Sequence, residues 1–274
     1  MGSSEGGVSD EDGSDMASII DTAPFANIAL RFNPKGRNVF PMQGMFRLHL
    51  NVPSLCHICR RWPSMSLCEP CITAFAQPVP RCPTCALHLQ RLPCCNCQHT
   101  PSPLHQCLAA VSYDFPWSQC IARFKFQADP GLAKALAELM RHAPWVEPAL
   151  EAAHCVIPIP LSPARLRERG FNQALELARH LAPHKTWATS LQRQDLGAHQ
   201  VGASRENRLA QAAHAFWVNP THIAHLRGQQ VVLVDDVMTT GATLYAAARA
   251  LKAAGAARVT GLVLARTEAA QALA

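Results

Sequence analysis

The chain lacks the usual signatures of a nucleotide-binding protein. No stretch fits G-x-x-x-x-G-K-[ST] or G-x-G-x-x-G, so neither a Walker-type phosphate loop nor a dinucleotide fingerprint competes for its assignment. No apolar run approaches the ~20 residues that a membrane-spanning helix requires. The first fifteen residues hold five acids (Glu5, Asp10, Glu11, Asp12, Asp15) and no base, whereas a secretory signal opens on bases. These absences lead to the expectation of a cytoplasmic chain with no membrane span. The opening residues, rich in Gly, Ser and acids, are also too poor in apolar groups to offset the entropy of ordering. Residues 16–50 carry Pro and Gly without periodicity. Residues 1–50 are therefore expected to be a disordered extension, with Met42 and Met45 as alternative starts.

At 274 residues and 49% apolar composition, the remainder suits one or two globular domains. The formal charge is +6, but the chain beyond residue 15 holds 25 bases against 14 acids, or +11. Such a body attracts phosphorylated ligands and nucleic acid. An ordinary basic surface has the same composition, and charge alone does not separate the two.

Twelve cysteines are many for a reducing compartment, where structural disulfides do not persist, and their spacing supplies another use. Cys56/Cys59, Cys68/Cys71, Cys82/Cys85 and Cys94/Cys97 repeat C-x2-C-x8-C-x2-C twice, ten residues apart. Each C-x2-C knuckle puts two sulfurs on one tight turn, and two knuckles complete a tetrahedral four-thiolate site. Few large apolar residues lie between them, so metal would replace a core. Two structural zinc ions are expected, paired sequentially because x8 spacers suit self-contained ribbons; interleaved pairing is the alternative. Cys95 competes with Cys94, and His57, His88 and His99 are further candidate ligands. Counting eight thiolates and two zinc ions, the body still carries +7. Cys107, Cys120 and Cys155 read as plain buried cysteines.

Val231–Leu244 carries the ligand chemistry. Val231–Val234 reads as a buried parallel strand, with Asp235 and Asp236 at its end. Thr239-Thr240-Gly241-Ala242-Thr243 forms a small hydroxyl-bearing turn, and Leu244–Ala254 is a strong helix former. Backbone N–H groups at that helix start, aided by the helix dipole, suit a phosphate. The two carboxylates suit sugar hydroxyls. A ribose 5-phosphate fits this division, against the bland alternative of an ordinary strand–turn–helix with a capping Thr.

Upstream, Cys107–Tyr113 reads as a strand, Ser118–Gln127 as a helix and Gly131–His142 as an amphipathic helix with Leu132, Leu136 and Leu139 on one face. Lys125, between Phe124 and Phe126, has two readings: a ligand-facing cation or a solvated residue on a helix that buries Phe. Val156–Pro160 reads as a strand leading into a basic loop, Leu161–Gln173. There Arg165, Arg167 and Arg169 offer guanidinium forks to pyrophosphate, or else form a solvated basic loop. Arg258–Arg266 is a further apolar strand, making residues 231–266 a βαβ unit.

The fourteen positions from Val231 to Leu244 resemble the 5-phosphoribosyl 1-pyrophosphate (PRPP) motif of type I phosphoribosyltransferases. Adding the cysteine repeat, Lys125 and Arg169-Gly170-Phe171-Asn172-Gln173, the chain resembles the ComF family of competence-associated proteins over about residues 53–267. The resemblance implies an α/β fold: a type I phosphoribosyltransferase-like parallel sheet flanked by helices (residues 105–270), preceded by a small double zinc-ribbon region (51–100). It implies that Asp235 and Asp236 bind the ribose hydroxyls, Thr239, Thr240, Gly241, Ala242 and Thr243 the 5′-phosphate, and Arg165, Arg167 and Arg169 the pyrophosphate. Asp235, Asp236 and Arg169 are then the catalytic candidates, with magnesium accompanying PRPP. The implied reaction class is pentosyl transfer, with no residue identifying the acceptor. Implied partners are PRPP, single-stranded DNA and proteins of the competence machinery. Gln200–Arg208 resembles the family's flexible loop, and Gln211 and His214 depart from the family's usual Asn and Gly. Two other functions fit the same residues: a salvage transferase, or a zinc-ribbon adaptor that binds nucleic acid and senses PRPP.

Overall fold

A parallel sheet needs a crossover between neighbouring strands, and the chain supplies helices between its apolar runs. The computed structural model describes residues 53–89, 101–126, 129–194 and 215–268, together with Gly2, Cys94 and Cys97. In chain order the elements are α1 (Glu69–Phe75), β1 (Gln106–Ser112), α2 (Trp117–Phe126), α3 (Leu132–Arg141), α4 (Val146–Ala152), β2 (Cys155–Pro158), α5 (Pro163–Arg169), α6 (Gln173–Leu181), β3 (Leu191–Arg193), β4 (Phe216–Val218), α7 (Pro220–Leu226), β5 (Gln230–Met238), α8 (Ala242–Ala253) and β6 (Arg258–Arg266). The expected extension, Gly2 excepted, and the expected flexible loop, Gln200–Arg208, lie outside the described residues. The cysteine repeat and the sheet belong to one compact unit, Asn51–Ala274.

Four parallel strands pair in the order β1–β6–β5–β2. The two central strands carry apolar runs, Val231–Val234 in β5 and Leu262–Ala265 in β6, because both faces of the sheet are covered there. Val232 and Val234 of β5 face a core with Phe124 of α2, Leu136 and Met140 of α3 and Leu177 of α6. Val231 and Leu233 face the opposite core, with Leu244, Ala247 and Leu251 of α8. The leucines of α3 fall on one buried face, as their spacing requires. β3 and β4 form a separate antiparallel pair. Cys107, Cys120 and Cys155 are buried. Burial pushes the Cys107 and Cys155 thiols up to about 12, which keeps them unreactive.

Three of the differences from the expected boundaries bear on the site. β5 runs through Asp235 and Asp236 to Met238, because β6 stays paired with it as far as Met238↔Arg266. α8 starts at Ala242, so Ala242 and Thr243 belong to its first turn. The expected basic loop is largely helical. Ser162 caps α5 by accepting from the Arg165 amide, Pro163 follows at the first turn, and Gly170 ends the helix at φ 77°. Ser-Pro at one end and Gly at the other are ordinary helix boundaries, outweighed in the sequence reading by the density of arginines.

Candidate functional site

β2 ends at Pro158, opposite Val234, while β5 continues beside β6. The last contact on that side is the Ile159 amide donating to the Val234 carbonyl at 2.9 Å. The acidic pair therefore sits where the sheet steps from four strands to fewer, at its carboxyl edge, the usual ligand edge of an open parallel sheet. Successive strand residues point to opposite faces. Asp236, which is buried, takes the ammonium of Lys125, Nζ to Oδ1 3.0 Å, with side-chain exposures of 16% and 10%. Asp235 is half-buried, and its Oδ1 accepts from the Asp236 amide at 2.8 Å. Burial, then the Asp236 charge, raise its carboxyl to about 7; the Asp236 amide and the charges of Lys125 and Arg193 pull the other way. Lys125 is thus ion-paired with Asp236 rather than solvated.

Beyond Met238 the chain forms a cradle of about 30 Å³ lined by Asp235 and residues 237–244. Gly241 adopts φ 86°, and a Cβ there would lie 2.5 Å from Met238 Cε and 2.9 Å from the Tyr245 ring. Only glycine fits. The Ala242 amide approaches Thr240 Oγ1 at 3.4 Å, so the first turn of α8 presents amides and hydroxyls together. A larger cavity of about 160 Å³ lies by the opposite edge, where His105, Gln230 and Arg258 line it with Trp145; among the described residues no carboxylate lines it.

The second half of the site is built on the tip of α2. The Arg169 guanidinium lies over the Phe126 ring, 5.5 Å from its centroid, and its Nη1 donates to Gln173 Oε1 at 3.1 Å. Phe171 packs on Phe124 at 5.4 Å between centroids. Asn172 caps α6 by accepting from the Leu175 amide, and its Nδ2 donates to the Ile159 carbonyl at 3.0 Å. In the string 169–173, Gly170 ends α5, and the other four residues hold the segment after β2 in place or start α6. The three arginines do not converge. On a helix, Arg165 and Arg169 are one turn apart, while Arg167 falls on the other side. Arg165 and Arg167 are exposed; only Arg169 is anchored at the tip of α2.

The eight repeat cysteines form two groups in sequence order, Cys56/Cys59/Cys68/Cys71 and Cys82/Cys85/Cys94/Cys97, each with its sulfurs within 4.8 Å of one another. Four cross-knuckle separations are 3.9, 3.6, 3.7 and 3.7 Å. A tetrahedral ion with sulfur ligands at about 2.3 Å places them about 3.8 Å apart, so the donor set fits zinc. The two knuckle folds repeat in detail. Arg60 and Ala86, each following the second cysteine, take φ 60° and 57°, and their amides donate to the Cys56 and Cys82 carbonyls. Burial opposes the Cys56 thiolate, but the amides of Cys59, Cys68 and Ile58 outweigh it and bring the thiol down to about 6. Cys82 is lowered in the same way, with the amides of Cys85 and Thr84 overcoming burial. His57 and His88 stand outside both groups; Cys95 and His99 lie outside the described residues.

The phosphoribosyl transferase domain family matches residues 168–273. The "DNA utilization protein YhgH" of Salmonella typhimurium is 31% identical over 229 residues, 80% of this chain and 99% of its own. The chain belongs to the ComF family. "Competence protein F" of Haemophilus influenzae is 30% identical over 213 residues, 73% of this chain and 88% of its own. "Competence protein ComFC" of Bacillus subtilis is 32% identical over 167 residues, 60% and 65% of the two chains. A solved glutamine phosphoribosylpyrophosphate amidotransferase from B. subtilis aligns with half of this chain and 26% of its own at 20% identity, with a TM-score of 0.33.

For this ComF-family chain the sequence reading missed two residues. Arg193 contributes charge toward Asp235 and lies over the Phe216 ring at 5.3 Å; nothing in its surroundings in the sequence marks it. Arg266 is 2% exposed and donates to the Met238 and Thr239 carbonyls where the turn after β5 begins. A charge closing an otherwise apolar strand was the available signal. The departures at Gln211 and His214 lie outside the described residues. Among those described, no helix is long and apolar enough to cross a membrane.

Proposed function

We propose that this phosphoribosyltransferase-like protein binds Mg-PRPP and serves the handling of DNA taken up by the cell. The observation that carries the reading is the acidic pair, with Lys125 on Asp236 at 3.0 Å and a glycine-shaped cradle directly behind it. In this reading Thr239–Thr243 hold the 5′-phosphate by amides and hydroxyls, and Asp235 and Asp236 accept from the ribose hydroxyls. Arg169 receives pyrophosphate, with Arg165 and Arg167 contributing positive charge from α5. Among the described residues the only groups of three or more candidate metal-ligating side chains are the cysteine clusters, so magnesium would be held mainly by the oxygens of the ligand beside the acidic pair. When bound it neutralises pyrophosphate, while the protein's part is to orient the ribose and exclude water.

The two cysteine clusters would each hold a structural zinc ion, closed by four thiolates and so without catalytic access. Eight cysteines grouped as metal ligands are compatible with the proposed cytoplasmic location, where structural disulfides do not persist. The tie to DNA rests on the names of the relatives, "DNA utilization protein" and "Competence protein F", and on the basic body. Single-stranded DNA and competence proteins are the proposed partners.

Calorimetry with Mg-PRPP on wild type and on Asp235→Ala/Asp236→Ala tests the core of this reading. Binding by the wild type and none by the double variant is expected; equal affinity would sink it. Pyrophosphate release across a panel of bases separates a transferase, salvage enzymes included, from a protein that only senses PRPP. Elemental analysis is expected to return two zinc ions per chain.

A further inference from the structure

The last strand of the sheet ends on a buried charge that the ligand roles above do not use. Arg266 is 2% exposed, and its hydrogen-bond partners among the described residues are carbonyl oxygens. Its Nε donates to Cys85 at 2.8 Å. Its Nη1 donates to Met238 at 2.9 Å, to Thr267 at 2.7 Å, and to Thr239. Cys85 belongs to the second cysteine cluster. Met238 and Thr239 are the residues where β5 gives way to the phosphate turn. One planar guanidinium therefore spans the interval between the cluster and the cradle.

The surrounding contacts make that span stiff. The second cluster is seated on the sheet by the Cys107 amide donating to Pro83 at 2.7 Å. Arg81 adds bonds to the Ala86 carbonyl at 3.0 Å and Ser112 Oγ at 2.9 Å. Met238, held by Arg266 at its carbonyl, has its Sδ 3.5 Å from Cys107 Sγ. The same side chain walls the space above Gly241. A displacement of Met238 thus alters the turn that follows it. The first cluster has a different anchorage: Phe75 of α1 accepts from Trp117 Nε1 at 2.9 Å.

We propose that Arg266 is a positioning residue that holds the turn 239–243 in its phosphate-binding shape only while the second cysteine cluster is closed. Opening the cluster releases the Cys85 carbonyl, and a buried guanidinium that loses a partner must find another or reach water. Either response pulls on Met238 and Thr239. Lysine cannot substitute, because a single ammonium does not reproduce the planar fork that reaches Cys85 and the turn at once. This inference rests on the phosphate role given to 239–243 above.

The test uses the full metal-loaded chain and amide hydrogen exchange at the bonds that close the turn, Tyr245 donating to the Gly241 carbonyl and Thr267 donating to the Met238 carbonyl, in wild type, Cys94→Ser, Arg266→Lys and the double variant. Protection of the turn is expected to fall at least ~10-fold in each single variant and no further in the double, since both act through one link. α3 (132–141) should stay protected throughout. The affinity for Mg-PRPP should fall in step with protection of the turn. Unchanged turn protection in Cys94→Ser, where Arg266 is intact, would overturn the proposal. So would additive losses in the double variant, or loss of protection in α3 alongside the turn. If the wild type binds no PRPP, the ligand assignment fails, yet the exchange comparison still decides whether Arg266 ties the turn to the cluster.

Discussion

Asp235→Asn is expected to make the protein more stable and to abolish its ligand binding. In the folded chain this carboxyl is raised from 3.8 to about 7 by burial and by the charge of Asp236. The folded state therefore holds the proton more tightly than the unfolded chain does. Below about pH 4 the group is protonated in both states and costs nothing. Between about pH 4 and 7 the unfolded chain ionises first, and stability falls as pH rises; above about pH 7 the full cost is present. Three pKa units correspond to about 4 kcal/mol, and the solvent contact that Asp235 keeps trims this to about 2–4 kcal/mol. Asparagine retains an oxygen that can accept from the Asp236 amide, so the existing 2.8 Å bond need not be lost. For a chain of this size the gain corresponds to roughly 5–10 °C in Tm at pH 8, fading to nothing near pH 4. Thermal melts from pH 4 to 8, paired with calorimetry on Mg-PRPP, read both effects. A melt shift that does not depend on pH, or a loss of stability at pH 8, would refute the electrostatic argument. Retained affinity would refute the role of the carboxylate.

Lys125→Met leaves the Asp236 carboxylate buried beside a second acid with no cation, which costs about 3 kcal/mol at pH 8. Denaturant melts should show that loss shrinking toward pH 5 as Asp235 takes up its proton and the like charge beside Asp236 disappears, and Lys125→Met/Asp236→Asn should recover most of it. Gly241→Ala places a methyl group 2.5 Å from Met238 Cε and 2.9 Å from the Tyr245 ring at φ 86°, and should cost about 1–3 kcal/mol. Thermal melting checks this, and an unchanged Tm would remove the packing argument for that glycine.

The elements most legible in the sequence were those whose pattern follows from one local rule. A continuous apolar run implies a strand covered on both faces, and Val231–Val234 is one. C-x2-C spacing implies a knuckle, and both clusters assemble in sequence order. Boundaries set by a distant partner were not legible. β5 continues through two carboxylates because β6 pairs with it to Arg266, and no residue near Asp236 announces that. The basic stretch was misread for another reason: its Ser-Pro start and Gly170 end carried the helix signal, while the arginines drew the reading toward a loop. Lys125 stood undecided, because only tertiary structure tells whether an ammonium on α2 meets solvent or Asp236.

The two halves of the candidate site are joined by consecutive residues of one helix. Lys125 reaches Asp236, Phe126 lies under Arg169, and Phe124 is buried against Phe171. Neighbouring residues on a helix diverge by about 100°, so a single turn of α2 addresses the β5 end, the α5 end and the core at once. A one-residue shift of α2 would misdirect all three contacts, which makes the seating of that helix a requirement of the site. Its other end is fixed by Trp117 donating to the Phe75 carbonyl, on the helix that carries Cys71 of the first cluster. The second cluster, through Arg266, meets the turn after β5 instead. The cysteine repeat therefore braces the candidate site at two separate places, one through α2 and one through the turn after β5. Loss of metal from the first cluster should disturb the Lys125–Asp236 pair before it disturbs the turn 239–243, the reverse of the order expected for the second.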